Sequence, residues 1–178
     1  MEWYQLINEA QIDSPAVVIY KERVKENISL LKTMIDDVQR LRPHVKTSKI
    51  PEVVQLMQEA GIQRFKCATI AEAEMLGMVN APDVLLAYQP VGPKMVRLLE
   101  LAQKYPQTAF SCLTDNADTA MAISAVFAAQ GRRLPVYLDL NVGMNRTGIK
   151  PDKAALELYQ YLHTLPGVQP VGLHAYDG

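Results

Sequence analysis

Arg42-Pro43-His44-Val45-Lys46-Thr47-Ser48-Lys49 places a lysine at the end of a short apolar run, just ahead of a helical stretch that opens at Pro51. A lysine in that position suits imine chemistry. In a partly desolvated pocket, burial disfavours the ammonium form and frees a nucleophilic amine. Two lysines compete for the role, Lys46 and Lys49. Residues two apart on an extended strand share a face, which makes His44 a pocket neighbour of Lys46. Whether this lysine ends a strand inside a repeating strand–helix unit decides the fold.

Working outward, the same unit recurs with a period of roughly 20 to 34 residues. Strand patterns cover 15–20, 41–47, 64–70, 83–89, 108–114, 134–141 and 168–176. Helical patterns cover 21–37, 51–60, 71–78, 93–105, 116–130 and 151–165, the first carrying Val24, Ile28, Leu31 and Ile35 on one face. Pro93 suits a first helical position. Gly61, Gly131 and Gly167 fall where helices end, as helix-to-strand loops prefer. Alternating β and α units imply an α/β fold with a parallel sheet. A doubly wound sheet would carry a Gly-rich first turn for its cofactor, and no G-x-G-x-x-G follows any strand. A (β/α)₈ TIM-type barrel gathers its functional groups at the C-terminal ends of its strands. There the chain carries Lys46, Thr69, Tyr88 with Gln89, Thr114, Asn145 with Arg146, and His174 with Tyr176.

The strands after the first helix number about six, whereas a closed barrel needs eight. An open barrel exposes two unpaired strand edges. The expectation is therefore an incomplete N-terminal portion of a barrel over 21–178. Residues 1–20 form a segment whose strand belongs to a missing β-domain, and the piece is inactive by itself. At 178 residues the chain can bury a real core. Its net charge of -1 gives no electrostatic case for nucleic acid or an anionic membrane surface. No run reaches the roughly 18 apolar residues needed to cross a bilayer. Met1-Glu2-Trp3-Tyr4-Gln5 lacks the basic and apolar regions of a signal peptide, and Cys67 and Cys112 read as reduced core thiols. The expected location is the cytoplasm.

Four motifs, in order, carry a family resemblance. Arg42 to Lys49 resembles the cofactor-lysine motif R-P-H-x-K-T-H-K of the fold type III pyridoxal phosphate (PLP) enzymes, within them the D-threonine aldolase and D-serine dehydratase family. Ser48 stands where that pattern has histidine. Cys67-Ala68-Thr69-Ile70-Ala71-Glu72-Ala73-Glu74 resembles the family's A-T-x-x-E-A segment. Gly143-Met144-Asn145-Arg146-Thr147-Gly148 resembles the G-M-N-R-x-G segment of alanine racemases. Gly172-Leu173-His174-Ala175-Tyr176 resembles the strand end that approaches the cofactor ring. Tyr88-Gln89-Pro90-Val91-Gly92-Pro93 is similar to a further family loop that borders the pocket.

By this resemblance Lys46 is the Schiff-base lysine and Arg146 lies near the cofactor's phenolate oxygen. His174 faces the ring or orients a neighbour. Tyr176 meets the pyridine edge or closes the pocket. A guanidinium stays charged and stabilises a phenolate. Thr69 or Thr47 would cap a helix, with Glu72 in its first turn. His163 reads as a surface or packing residue. The cofactor implied is pyridoxal 5'-phosphate, its phosphate held on later barrel loops. A divalent metal would belong to the full-length protein and has no ligands in this chain. The resemblance implies a lyase that cleaves D-threonine-like 3-hydroxy amino acids or dehydrates D-serine, homodimeric when full length. Two readings stay open beside it: an amino-acid racemase, and a PLP-binding homeostasis protein without catalysis.

Overall fold

Strands and helices alternate along the chain in the computed structural model, which describes residues 2–177. A short 3₁₀ turn (Glu9–Gln11) precedes α1 (Lys21–Thr33), and a second (Val38–Arg40) leads into the lysine segment. Then follow α2 (Pro51–Glu59), β1 (Arg64–Cys67), α3 (Ile70–Met78), β2 (Asp83–Leu86), α4 (Pro93–Lys104) and β3 (Ala109–Thr114). The last elements are α5 (Ala117–Ala128), β4 (Leu134–Leu140), α6 (Lys153–Thr164) and β5 (Val168–Ala175).

All strand pairs are parallel, and the order across the sheet is β1-β2-β3-β4-β5. That order separates the two candidate folds. A doubly wound sheet reverses direction partway, whereas winding one way without reversal is the barrel path. Alternation along the strands fixes two faces. Phe65, Val84, Leu86, Phe110, Val136 and Leu138 are buried against the helices, where Leu76, Leu98, Ile123, Phe127 and Leu162 complete the core. Lys66, Leu85, Ser111, Leu113, Asp139 and His174 take the alternate positions and look the other way. Across that second face the two edge strands meet: Lys66 Nζ on β1 lies 2.8 Å from His174 Nε2 on β5. The sheet is therefore strongly curled, with its polar face concave.

The helix starts follow local chemistry. Pro51 and Pro93 open α2 and α4, where a missing N–H costs nothing. Thr69, Asn116 and Asp152 cap α3, α5 and α6 by accepting from Glu72, Thr119 and Ala154 backbone N–H groups. The Thr69 cap also explains why β1 ends at Cys67, short of the expected 70; β2 likewise ends at Leu86, short of 89. Thr69 already belongs to the next helix, so the chain must leave the sheet before it.

Two expected strands are absent. Residues 15–20 form no strand: Val17, Val18 and Ile19 are exposed, and no described strand lies beside them. β-Branched side chains favour a strand only where a partner and a packing surface exist. Residues 41–47 also fall short of a strand. Lys66 N–H donates to Pro43 O at 2.8 Å and Val45 N–H to Lys66 O at 2.9 Å, forming a single bridge at His44. The chain then turns, closed by Lys49 N–H to Val45 O at 2.9 Å. The sheet has five strands plus this bridge, where six strands were expected. No helix among the described residues is long and apolar enough to cross a membrane.

Arg42 fastens this entry segment to the sheet. Its guanidinium grips Asp83 at 2.6 and 2.8 Å, with both side chains partly buried. Arg42→Met is expected to cost about 1.5 kcal/mol, the low end for a charge-assisted pair that water still reaches. It should appear as a lower urea midpoint at unchanged slope. An unchanged midpoint would show that the pair contributes nothing to stability.

Candidate active site

The concave face opens into a cavity of about 530 Å³ with an adjoining recess of about 60 Å³. Lys46, Arg146, His174 and Tyr176 come from three separate stretches of sequence; all four line the recess, and Lys46 and Arg146 also line the larger cavity.

Lys46 sits in the turn that follows the bridge, its backbone N–H donating to His44 Nδ1 at 3.2 Å. The turn, not a strand's alternation, brings His44 and Lys46 to the same cavity. Lys49 leaves it. Its backbone is left-handed at φ 53, and its amine lies 3.6 Å from the buried Glu72 carboxylate. Glu72 is itself fixed, accepting from Ala68 N–H at 2.8 Å.

Arg146 rides a loop tied down at several points. Asn141 Oδ1 accepts from Gly143 and Asn145 N–H groups at 3.2 and 3.1 Å. Thr147 Oγ1 donates to Asp139 Oδ2 at 2.9 Å, and Gly148 N–H to Asp115 Oδ2 at 3.0 Å. Gly148 needs its φ of +93, and a Cβ there would stand 2.6 Å from Asn141 N. The loop holds the Arg146 guanidinium 5.3 Å from the centre of the Tyr176 ring, with Lys66 Nζ 5.5 Å from the same ring.

His174 is held from both nitrogens. Nδ1 lies 2.6 Å from Asp139 Oδ1 and Nε2 lies 2.8 Å from Lys66 Nζ. Nδ1–H donates to the Asp139 carboxylate, and Nε2 shares a hydrogen bond with the Lys66 amine whose direction depends on which of the two holds the proton. Burial pushes the Lys66 amine below its usual range, and the cations of Lys46, Arg146 and Arg42 add to that, while Asp139 opposes it. Burial likewise lowers His44, helped by Lys46 and Lys66. The far wall carries Tyr88 and Gln89, the latter accepting from Thr114 Oγ1 at 3.0 Å and Asp115 N–H at 2.9 Å.

Sequence reasoning does not single out Lys66 and Asp139. A signal is present: Lys66 alternates with Phe65 and Cys67, and Asp139 interrupts the apolar run 136–140, so each charge points away from the helix side. Cys67 and Cys112 are buried free thiols on that helix side. Burial, with Glu72 nearby, lifts Cys67 to about 12, which keeps it protonated and inert. His163 is exposed and packs its ring against Tyr159. Among the described residues no group of three or more His, Cys, Asp or Glu is placed to hold a metal.

Residues 19–178 match the family described as alanine racemase, N-terminal domain. Over 171 residues the chain is 30% identical to a D-threonine aldolase of Arthrobacter sp., covering 95% of this chain and 44% of the relative. Over 148 residues it is 30% identical to the D-threo-3-hydroxyaspartate dehydratase of Delftia sp., covering 83% and 38%. The crystal structure of D-threonine aldolase from Filomicrobium marinum superposes with a TM-score of 0.86 at 26% identity, covering 96% of this chain and 46% of that one. A Clostridium difficile alanine racemase shares the fold, with a TM-score of 0.75 at 16% identity, covering 88% and 41%. The chain spans less than half the length of these relatives.

Proposed function

The chain belongs to the alanine racemase N-terminal domain family of fold type III PLP enzymes, and on that premise we propose that it is the cofactor-lysine part of a lyase acting on D-amino acids. The substrates proposed are D-threonine-like 3-hydroxy amino acids, cleaved to glycine and an aldehyde, or D-serine, dehydrated. The likeness to proteins named as a D-threonine aldolase and a 3-hydroxyaspartate dehydratase supports a lyase over a racemase. One observation carries the reading: Lys46 and Arg146, 100 positions apart by their residue numbers, share a recess with His174 and Tyr176 and also line the larger cavity that adjoins it.

The donor set fits pyridoxal phosphate. An aldehyde that carries a phenol needs an amine, a cation for the phenolate, an aromatic wall and a volume of a few hundred Å³. Lys46 Nζ would anchor the aldehyde carbon covalently. Arg146 would hold the phenolate oxygen by a charge-assisted bond that no change of pH near neutrality can remove. Tyr176 and His174 would flank the ring, and the wall of Tyr88 and Gln89 would keep water from it. When bound, the cofactor supplies an electron sink for the pair released at the substrate's α-carbon. The chain's own task is to orient the substrate and to hold or move protons at Lys46 and at the nitrogens of His174.

Borohydride reduction of the chain mixed with stoichiometric pyridoxal phosphate tests this. Peptide mass spectrometry should place the reduced pyridoxyl group on Lys46. An adduct on Lys49, or labelling spread evenly over surface lysines, would remove the basis for the assignment.

A further inference from the structure

We propose that Lys66 is the acid–base group of this cavity, with His174 as the acceptor of its proton and Asp139 as the anchor of His174. This role deepens, and rests on, the function proposed above.

Three strands build the trio. Lys66 projects from β1, Asp139 from β4 and His174 from β5, all onto the concave face. Their order is linear, Lys66 Nζ to His174 Nε2 at 2.8 Å and His174 Nδ1 to Asp139 Oδ1 at 2.6 Å. One proton can shift along it. The Nζ–H bond of the Lys66 ammonium breaks, an Nε2–H bond forms, and the positive charge moves onto an imidazolium that Asp139 already faces. The trio keeps its net charge, so the move needs no counter-ion.

The surroundings favour a neutral Lys66. Facing it are Lys46 and His44 from the turn, Arg42 from the entry segment, Arg146 from the loop after β4, and Tyr176 beyond β5. Burial lowers the Lys66 amine most, Asp139 opposes it, and the positive charges of Lys46, Arg146 and Arg42 add to the lowering. A simple structural ion bridge would also place a lysine on a buried carboxylate. Here the imidazole stands between the two, and the lysine lines the cavity. The cavity then has two amines with separate tasks: Lys46 free to bond to an aldehyde, and Lys66 to carry protons.

Trace acetylation with acetic anhydride near neutral pH, read by peptide mass spectrometry, compares Lys66 with the exposed Lys150 as internal standard. Only an unprotonated amine reacts. The oxygen of glutamine accepts from an ammonium but takes up no proton. His174→Gln should therefore slow Lys66 about tenfold against Lys150, the effect of a one-unit shift in its titration. An unchanged or raised rate, in a variant with the circular dichroism of the wild type, overturns the proposal. ¹⁵N NMR of the wild-type chain decides it without any variant. His174 Nε2 should resonate between its free and protonated positions, and a signal fixed at the free position from mildly acidic to mildly alkaline pH overturns the proposal. Both readouts use the chain without cofactor, so failure of pyridoxal phosphate to attach at Lys46 is a separate outcome.

Discussion

Lys46→Ala is expected to lose the borohydride-fixed pyridoxyl adduct altogether, down to the background of the surface lysines. Lys49→Ala is expected to keep it. The two lysines are three residues apart in one turn, so composition and local charge barely distinguish them. Their surroundings do. Lys46 lines the cavity beside His44 and across from Arg146. The Lys49 amine is turned toward the Glu72 carboxylate, 3.6 Å away, on a residue whose left-handed backbone aims it out of the cavity. That ion pair holds the Lys49 amine away from the aldehyde's position. Lys66, the other amine of the recess, is hydrogen-bonded to His174 Nε2 at 2.8 Å, so without Lys46 no free amine is left there for borohydride to fix. A Lys46→Ala chain that retains the adduct, with Lys49→Ala losing it, would reverse the assignment. Retention by both variants would shift attention to Lys66.

Gly167→Ala is expected to destabilise the chain strongly. Gly167 stands just before β5, where the chain presses against the backbone of α5. A Cβ there would collide with the carbonyl oxygen of Ser124 and come within 2.7 Å of its carbon and 2.8 Å of Ala128 N. The same residue donates its N–H to Ser124 Oγ at 2.8 Å, and its carbonyl accepts from Leu134 N–H at 2.9 Å, so retreat would break bonds on both sides. Backbone does not yield as a flexible side chain does. The expected cost is about 3 kcal/mol, the upper part of the overpacking range. For a chain of this length that lowers Tm by roughly 6–12 °C. A shift of under a degree would mean that β5 and α5 separate easily.

Gly167 also shows where sequence reading stops. Its position after a helix suggests a helix-ending glycine, as at Gly61 and Gly131, which do adopt positive φ. At Gly167 the cause is close approach between two segments 43 residues apart, which no local pattern contains. The same divide runs through the whole chain. Helices and strands from Arg64 onward are legible because each is set by its own periodicity and caps. The run 15–20 misleads because its apolar, β-branched composition says nothing about whether a partner lies beside it. At the site, residues at strand ends are legible by position. Lys66 and Asp139, inside strands, are not. Their meaning depends on the curl of the sheet, which brings edge strands together across its concave face.

That curl also orders the events of folding. Each neighbouring pair of strands is joined by a crossover of 15 to 27 residues, so pairs can zip up one after another from local contacts. The contact between Lys66 and His174 spans 108 residues and forms once every crossover between them is in place. A small molecule gripped by groups from both edges, as Lys66 and His174 are, recognises only the fully wound chain. Its binding energy then adds to the stability of the entire sheet, and a half-wound chain receives none of it.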